Sequence, residues 1–149
     1  MKRLFLYIIG IGLLMAGCDK ENSDNGDLDG FWQMTEIAEA PGGFCATMGS
    51  TDMRQSGITW SFQGHLLELR DVTDHQKDII MSFEHKGGEL RVYNPYFVER
   101  DSGDIKITNA TFLIPYGISK TDETFQVIEL NSSEMMLESG YYSLKFRKY

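Results

Sequence analysis

The stretch Ile58-Thr59-Trp60-Ser61-Phe62-Gln63-Gly64-His65-Leu66-Leu67-Glu68-Leu69-Arg70 alternates apolar and polar side chains on both sides of one glycine. Ile58, Trp60 and Phe62 share a register against Thr59, Ser61 and Gln63. After Gln63-Gly64-His65, Leu67 and Leu69 alternate with Glu68 and Arg70. A period of two sends successive side chains to opposite faces of a strand, so this segment predicts a β-hairpin with one buried face. The pattern continues downstream. Ile79, Met81 and Phe83 alternate with Ile80, Ser82 and Glu84, Lys86-Gly87-Gly88 turns the chain, and Leu90 and Val92 alternate with Glu89 and Arg91. The glycines supply the positive φ that a tight hairpin turn needs.

A third set of strands closes the chain. Residues 125–130 form one strand, 135–139 follow after Asn131-Ser132-Ser133, and Gly140 leads into Tyr142, Leu144 and Phe146, alternating with Ser143, Lys145 and Arg147. Phe125 and Val127 share one phase while Ile128 and Leu130 share the other, which predicts a bulge between them. Residues 104–107 read as a further short strand. Residues 111–118, with Pro115-Tyr116-Gly117, carry no clear period. Residues 39–57 hold Pro41-Gly42-Gly43 and then Phe44, Cys45, Met48 and Met53 at roughly helical spacing, which reads as a glycine-rich loop with a short helix.

The 149 residues suffice for one core and are marginal for two domains. A 42% hydrophobic share with 12% aromatics excludes a wholly disordered chain. The expected fold is therefore all-β, an antiparallel meander of about eight to nine strands with a short helix or loop between the first two. Such a meander must protect its edges, and closing into a barrel does so. A two-sheet sandwich is the rival if crossover connections are present.

The N-terminus reads as an address. Lys2 and Arg3 precede a nearly uninterrupted apolar run from Leu4 to Met15, and Ala16-Gly17 lead into Cys18. That is the three-part layout of a secretory signal, and the run is too short for a membrane-spanning helix. Leu14-Met15-Ala16-Gly17-Cys18 resembles the lipobox of bacterial lipoproteins, with Met15 where that family usually has Leu. The resemblance implies cleavage after residue 17 and acylation of Cys18 by chains such as palmitate, enough for stable attachment to a lipid bilayer. Residues 18–28 then read as the lipidated cysteine with an acidic, flexible tether, and residues 29–149 as the folded domain. The acids after Cys18 partly match the export signal of Bacteroidota surface lipoproteins.

Loss of Lys2 and Arg3 leaves 12 of the 14 Lys+Arg against 22 Asp+Glu, a net charge of −10. That balance argues against a nucleic-acid partner. Cys45 is then the lone cysteine of the mature chain, so no intramolecular disulfide forms. It lies between Phe44 and Ala46, a setting for a buried thiol rather than a nucleophile.

The first strand reads Leu28-Asp29-Gly30-Phe31-Trp32-Gln33-Met34. Gly30-Phe31-Trp32 resembles the G-x-W that opens lipocalin-like barrels, and the whole layout resembles the small lipocalin-like lipoproteins of Bacteroidota. The resemblance implies a calycin-type barrel in which Gly30 admits the chain and Trp32 plugs the closed end. It also implies that a cation of the last strand packs on the indole, with Arg147 as the candidate. It places the protein in the outer membrane, facing the periplasm or the cell surface.

Motifs for chemistry are sparse. His65, His75 and His85 are ten residues apart, a spacing no metal motif uses, and all three fall at polar turns. Asp71, Asp74 and Asp78 lack the glycine and distal glutamate of an EF-hand loop, and Asp101-Ser102-Gly103-Asp104 reads as a turn. There is no G-x-S-x-G elbow, P-loop or dinucleotide fingerprint, so no catalytic residue, metal or cofactor is expected. Tyr93, Tyr96, Phe97, Phe112 and Tyr116 concentrate aromatics in connections near a barrel mouth, where they would grip an apolar ligand or seal the opening. Met34, Met48, Met53, Met81, Met135 and Met136 suit an adaptable apolar pocket and fill an ordinary core equally well. The expected function is a non-enzymatic, membrane-anchored envelope lipoprotein binding a small apolar or amphipathic molecule in or at the mouth of the barrel. The alternative is a protein–protein interaction module, an inhibitor or accessory subunit of an envelope complex.

Overall fold

The computed structural model describes residues 24–40 and 49–149. Ten antiparallel strands follow in order: β1 (Gly30–Glu39), β2 (Thr51–Asp52), β3 (Ile58–Gln63), β4 (Leu66–Asp71), β5 (Ile79–Lys86), β6 (Glu89–Phe97), β7 (Ile105–Lys106), β8 (Asp122–Leu130), β9 (Glu134–Glu138) and β10 (Tyr142–Lys148). Eight of them form a barrel in the order β1-β3-β4-β5-β6-β8-β9-β10, and β10 pairs back onto β1 to close it. Closure removes the sheet edges and settles the choice between barrel and sandwich. The two-residue strands β2 and β7 pair outside this ring, on β1 and β6. The sequence reading places a strand at 104–107, where β7 lies, and misses β2, whose two residues are too few to show a period.

The alternation seen in the sequence sorts the side chains. Trp60, Phe62, Leu67, Leu69, Met81, Phe83, Leu90, Val92, Phe125, Leu137, Leu144 and Phe146 all point inward and are buried. Each such side chain contributes roughly 1.5–3 kcal/mol by leaving water. The rings interlock: Trp60 lies 5.1 Å from Phe146 and 5.8 Å from Phe125, and Phe62 stands edge-on to Phe83 at 5.0 Å. Edge and tilted contacts of this kind match the quadrupoles of the rings.

Three register shifts punctuate the ring. One falls between Val127 and Glu129, where the change of phase predicts it. A second lies between Met34 and Glu36 in β1. The third adds one residue to β6 opposite Ile80 and Ser82, at Asn94, whose φ is +53°. This last bulge reverses the faces of β6. Leu90 and Val92 point inward before it, and Pro95 and Phe97 after it.

The expected short helix at Phe44, Cys45 and Met48 lies outside the described residues, as do the signal segment and Cys18. Of that stretch, Met53 is described and packs against the core.

Candidate functional site

One end of the barrel is closed by its own first residues. A 3-10 turn, Gly26–Leu28, buries Leu28, and the Trp32 indole N–H donates to the Leu28 carbonyl at 2.8 Å. Gly30 has φ +113°, and a Cβ there would come within 3.1 Å of the Lys148 stem. That stem reaches across the glycine, placing the Lys148 ammonium 4.9 Å over the Trp32 ring and donating to the Asp27 carbonyl at 2.7 Å. The cation on the indole is thus Lys148, not Arg147. The reason is parity: Lys148 shares the inward face of Leu144 and Phe146, whereas Arg147 points outward and donates from Nε to Gln33 Oε1 at 2.8 Å.

The interior is occupied by side chains. At the open end the chain between β7 and β8 makes two 3-10 turns, Ala110–Phe112 and Ile114–Tyr116, and folds back into the barrel. Leu113, Tyr116 and Ile118 are fully buried there. Trp60 donates its indole N–H to the Tyr116 carbonyl at 3.2 Å, and the Tyr116 hydroxyl donates to the Lys77 carbonyl at 2.9 Å. Burial raises the phenol pKa, and Asp71 and Asp78 raise it further, so Tyr116 stays neutral. This cap occupies the place a ligand would take inside the barrel.

Beside the cap lies an open cleft of about 410 Å3. The loop after β4 supplies His75, Gln76 and Lys77, β5 supplies Ile79, β6 ends on Phe97, and the cap adds Phe112 and Tyr116. Phe97 and Phe112 meet edge to face at 5.2 Å, and Phe112 is 50% exposed. Lys77 pairs with Glu99 at 2.7 Å and holds its ammonium 5.6 Å over Phe97. The loop is shaped by a hydrogen-bonded chain: the Thr73 hydroxyl lies between Asp71 Oδ1 and His75 Nδ1. Burial pushes the Asp71 carboxyl up, but the Thr73 hydroxyl and N–H and the nearby His75 outweigh it and hold the pKa below the usual value.

Of the five aromatics singled out by sequence, the structure therefore brings Phe97, Phe112 and Tyr116 together and leaves Tyr93 and Tyr96 apart. Tyr93 precedes the β6 bulge and faces outward, where Arg91 stacks on its ring at 4.6 Å and also pairs with Asp122 at 2.7 Å. Tyr96 follows the bulge on the outer face and lines a groove of about 240 Å3 with Leu66, Ile80 and Asn94. His75, Gln76 and Lys77 carried no signal of this placement, since only tertiary closure carries their loop to the cleft. His65 lies in the turn from β3 to β4 and His85 near the turn after β5, both toward the closed end, while His75 lies at the mouth, so the three histidines do not meet. Among the described residues, no three His, Cys, Asp or Glu side chains are grouped to hold a metal.

A family model described as lipocalin-like domain matches residues 13–149. A lipocalin-like protein from Bacteroides uniformis ATCC 8492 is similar in structure, with a TM-score of 0.59 and 20% identity over 83% of this chain and 100% of that one. A protein from Bacteroides eggerthii DSM 20697 is similar at TM-score 0.53 and 18% identity, over 82% of this chain and 99% of that one. No curated protein matches.

Proposed function

We propose that this chain, which belongs to the lipocalin-like domain family, is a membrane-anchored envelope lipoprotein that binds a small apolar-bodied molecule without transforming it. The lipocalin-like barrel is compatible with small-ligand binding. The carrying observation is the half-exposed Phe112 paired with Phe97 beside a barrel whose interior is already full. A ring left in water at the wall of a concave, partly apolar site is a ligand contact in waiting. The site is then the cleft at the mouth rather than the barrel interior.

Native mass spectrometry of the full chain isolated from its own envelope tests this. We expect an added mass of a few hundred daltons that denaturation removes and whose affinity Phe112→Ala weakens by up to about tenfold, the scale of one aromatic contact. A spectrum without added mass in wild type sinks the reading. The outer groove around Leu66, Ile80 and Tyr96 favours the second reading, an interaction module. That reading expects a bound protein in the same spectrum, insensitive to Phe112→Ala.

The anchor rests on Leu14-Met15-Ala16-Gly17-Cys18. Cells fed an alkyne-bearing palmitate should label the wild-type chain and leave Cys18→Ala unlabelled and unprocessed. Equal labelling of both would place the lipid elsewhere.

A further inference from the structure

We propose that the mouth cleft selects an amphipathic cation, an apolar or aromatic body carrying one ammonium or guanidinium group. This rests on the reading of the cleft as a ligand site and names the class of molecule it takes.

The cleft already seats a cation, and it is the chain's own. The Lys77 ammonium sits 5.6 Å over the Phe97 ring and 2.7 Å from Glu99 Oε1. A ring face and a carboxylate together are what an ammonium or guanidinium group seeks, since the ring quadrupole and the carboxylate both stabilise positive charge. Lys77 occupies this seat from the solvent side, its side chain 65% exposed, and an exposed pair of this kind is weak. A ligand cation can therefore take its place while the lysine swings into water. Phe112, edge-on to Phe97, offers the adjoining apolar wall for the body of the ligand.

The surrounding charge points the same way. Asp71 ends β4, Asp74 and Asp78 lie on the loop after it that carries Lys77, and Glu99, Asp101 and Asp104 lie on the facing one. The neighbouring cations are largely spent: Arg70 pairs with Asp78 at 3.3 Å and Lys77 with Glu99, which leaves Arg100 among the acids. The whole chain carries −8. Such a field concentrates cations at the mouth and repels anions. An anionic ligand would find only Lys77 at the cleft wall, already drawn to Glu99. The Tyr116 hydroxyl is spent on the Lys77 carbonyl, and His75 Nδ1 on the Thr73 hydroxyl.

The test uses three water-soluble probes that share one ring: benzyltrimethylammonium, benzyl alcohol and phenylacetate. The full chain in lipid nanodiscs carries fluorophenylalanine, and fluorine NMR follows the Phe112 resonance, identified by its loss in Phe112→Leu. We expect benzyltrimethylammonium to shift that resonance with about tenfold higher affinity than either other probe, between the exposed and desolvated ranges of a cation–π contact. Glu99→Gln should weaken the ammonium probe several-fold and leave benzyl alcohol unchanged, and Lys77→Met should strengthen it. Phenylacetate binding as tightly as the ammonium probe, or ammonium affinity indifferent to Glu99→Gln, overturns the charge assignment while leaving a ligand site. If no probe moves the Phe112 resonance, the cleft binds nothing of this kind and the underlying reading falls with the proposal. Unchanged resonances of the buried rings Phe62 and Phe125 in each variant show that the fold is intact.

Discussion

Trp60→Ala is expected to destabilise the domain by about 3–5 kcal/mol, the range for emptying a large aromatic site in a core. Trp60 is fully buried and touches Phe62, Phe125 and Phe146, so the vacated space has rigid aromatic walls that collapse poorly. It also fastens the cap through its N–H to the Tyr116 carbonyl. Removing that donor leaves a buried carbonyl unpaired, a further cost of about 1–3 kcal/mol. Against a typical total of about 5–15 kcal/mol, the combined loss brings the domain close to unfolding. Trp60→Phe separates the two parts, because it keeps most of the ring and deletes only the donor. Its urea midpoint should fall by far less than that of Trp60→Ala. The amides of Gly117 and Ile118, which close the cap turns onto Ile114 and Leu113, should exchange faster in the variant. Unchanged exchange at those two amides would mean the indole bond does not hold the cap.

Gly117→Ala should cost about 2–5 kcal/mol for the addition of a single methyl. Gly117 ends the second cap turn at φ +78°, a conformation that an L side chain adopts only at a cost of about 1–2 kcal/mol. The new Cβ would sit 2.6 Å from Leu144 Cδ2 and 3.0 Å from Cδ1, inside a filled barrel with nowhere to move, and overpacking of this kind adds about 1–3 kcal/mol. Shortening the opposing side chain with Leu144→Ala should recover part of the loss, so the two changes should be non-additive. Strict additivity in urea unfolding would show that the clash with Leu144 contributes nothing.

Much of the barrel was legible because its inward faces obey a strict period of two. Ile58, Trp60 and Phe62 are buried on the face that the alternation assigns them, and the bulge after Val127 shows in the sequence because apolar residues fill both phases there. The bulge at Asn94 left no such trace. Tyr93, Pro95, Tyr96 and Phe97 are all large or apolar, so either register is consistent with the residues. Only the pairing with β5 decides that Phe97 joins the cleft while Tyr96 faces outward. Lys148 was within reach of the sequence: carrying the phase of Leu144 and Phe146 two residues further lands on it and passes over Arg147. The cap was not within reach. Its burial depends on the barrel closing around residues 110–118, whose 3-10 turns carry no repeating pattern. The cleft likewise joins β6 to a polar loop some twenty residues earlier, and local reading sees that loop only as solvated.

The described chain begins at the closed end of the barrel, where Asn25 donates to the Gly64 carbonyl in the turn between β3 and β4. With Cys18 as the lipidated residue, the six steps to residue 24 span at most about 20 Å of chain. On the proposed anchor, the closed end would be the part leashed to the bilayer. The tilted strands of the barrel, five to ten residues long, run away from it for about 15–20 Å before reaching the mouth. On that anchor the cleft would lie at the end of the barrel away from the leash, so its cargo would arrive by diffusion through water rather than by sliding out of the leaflet beneath.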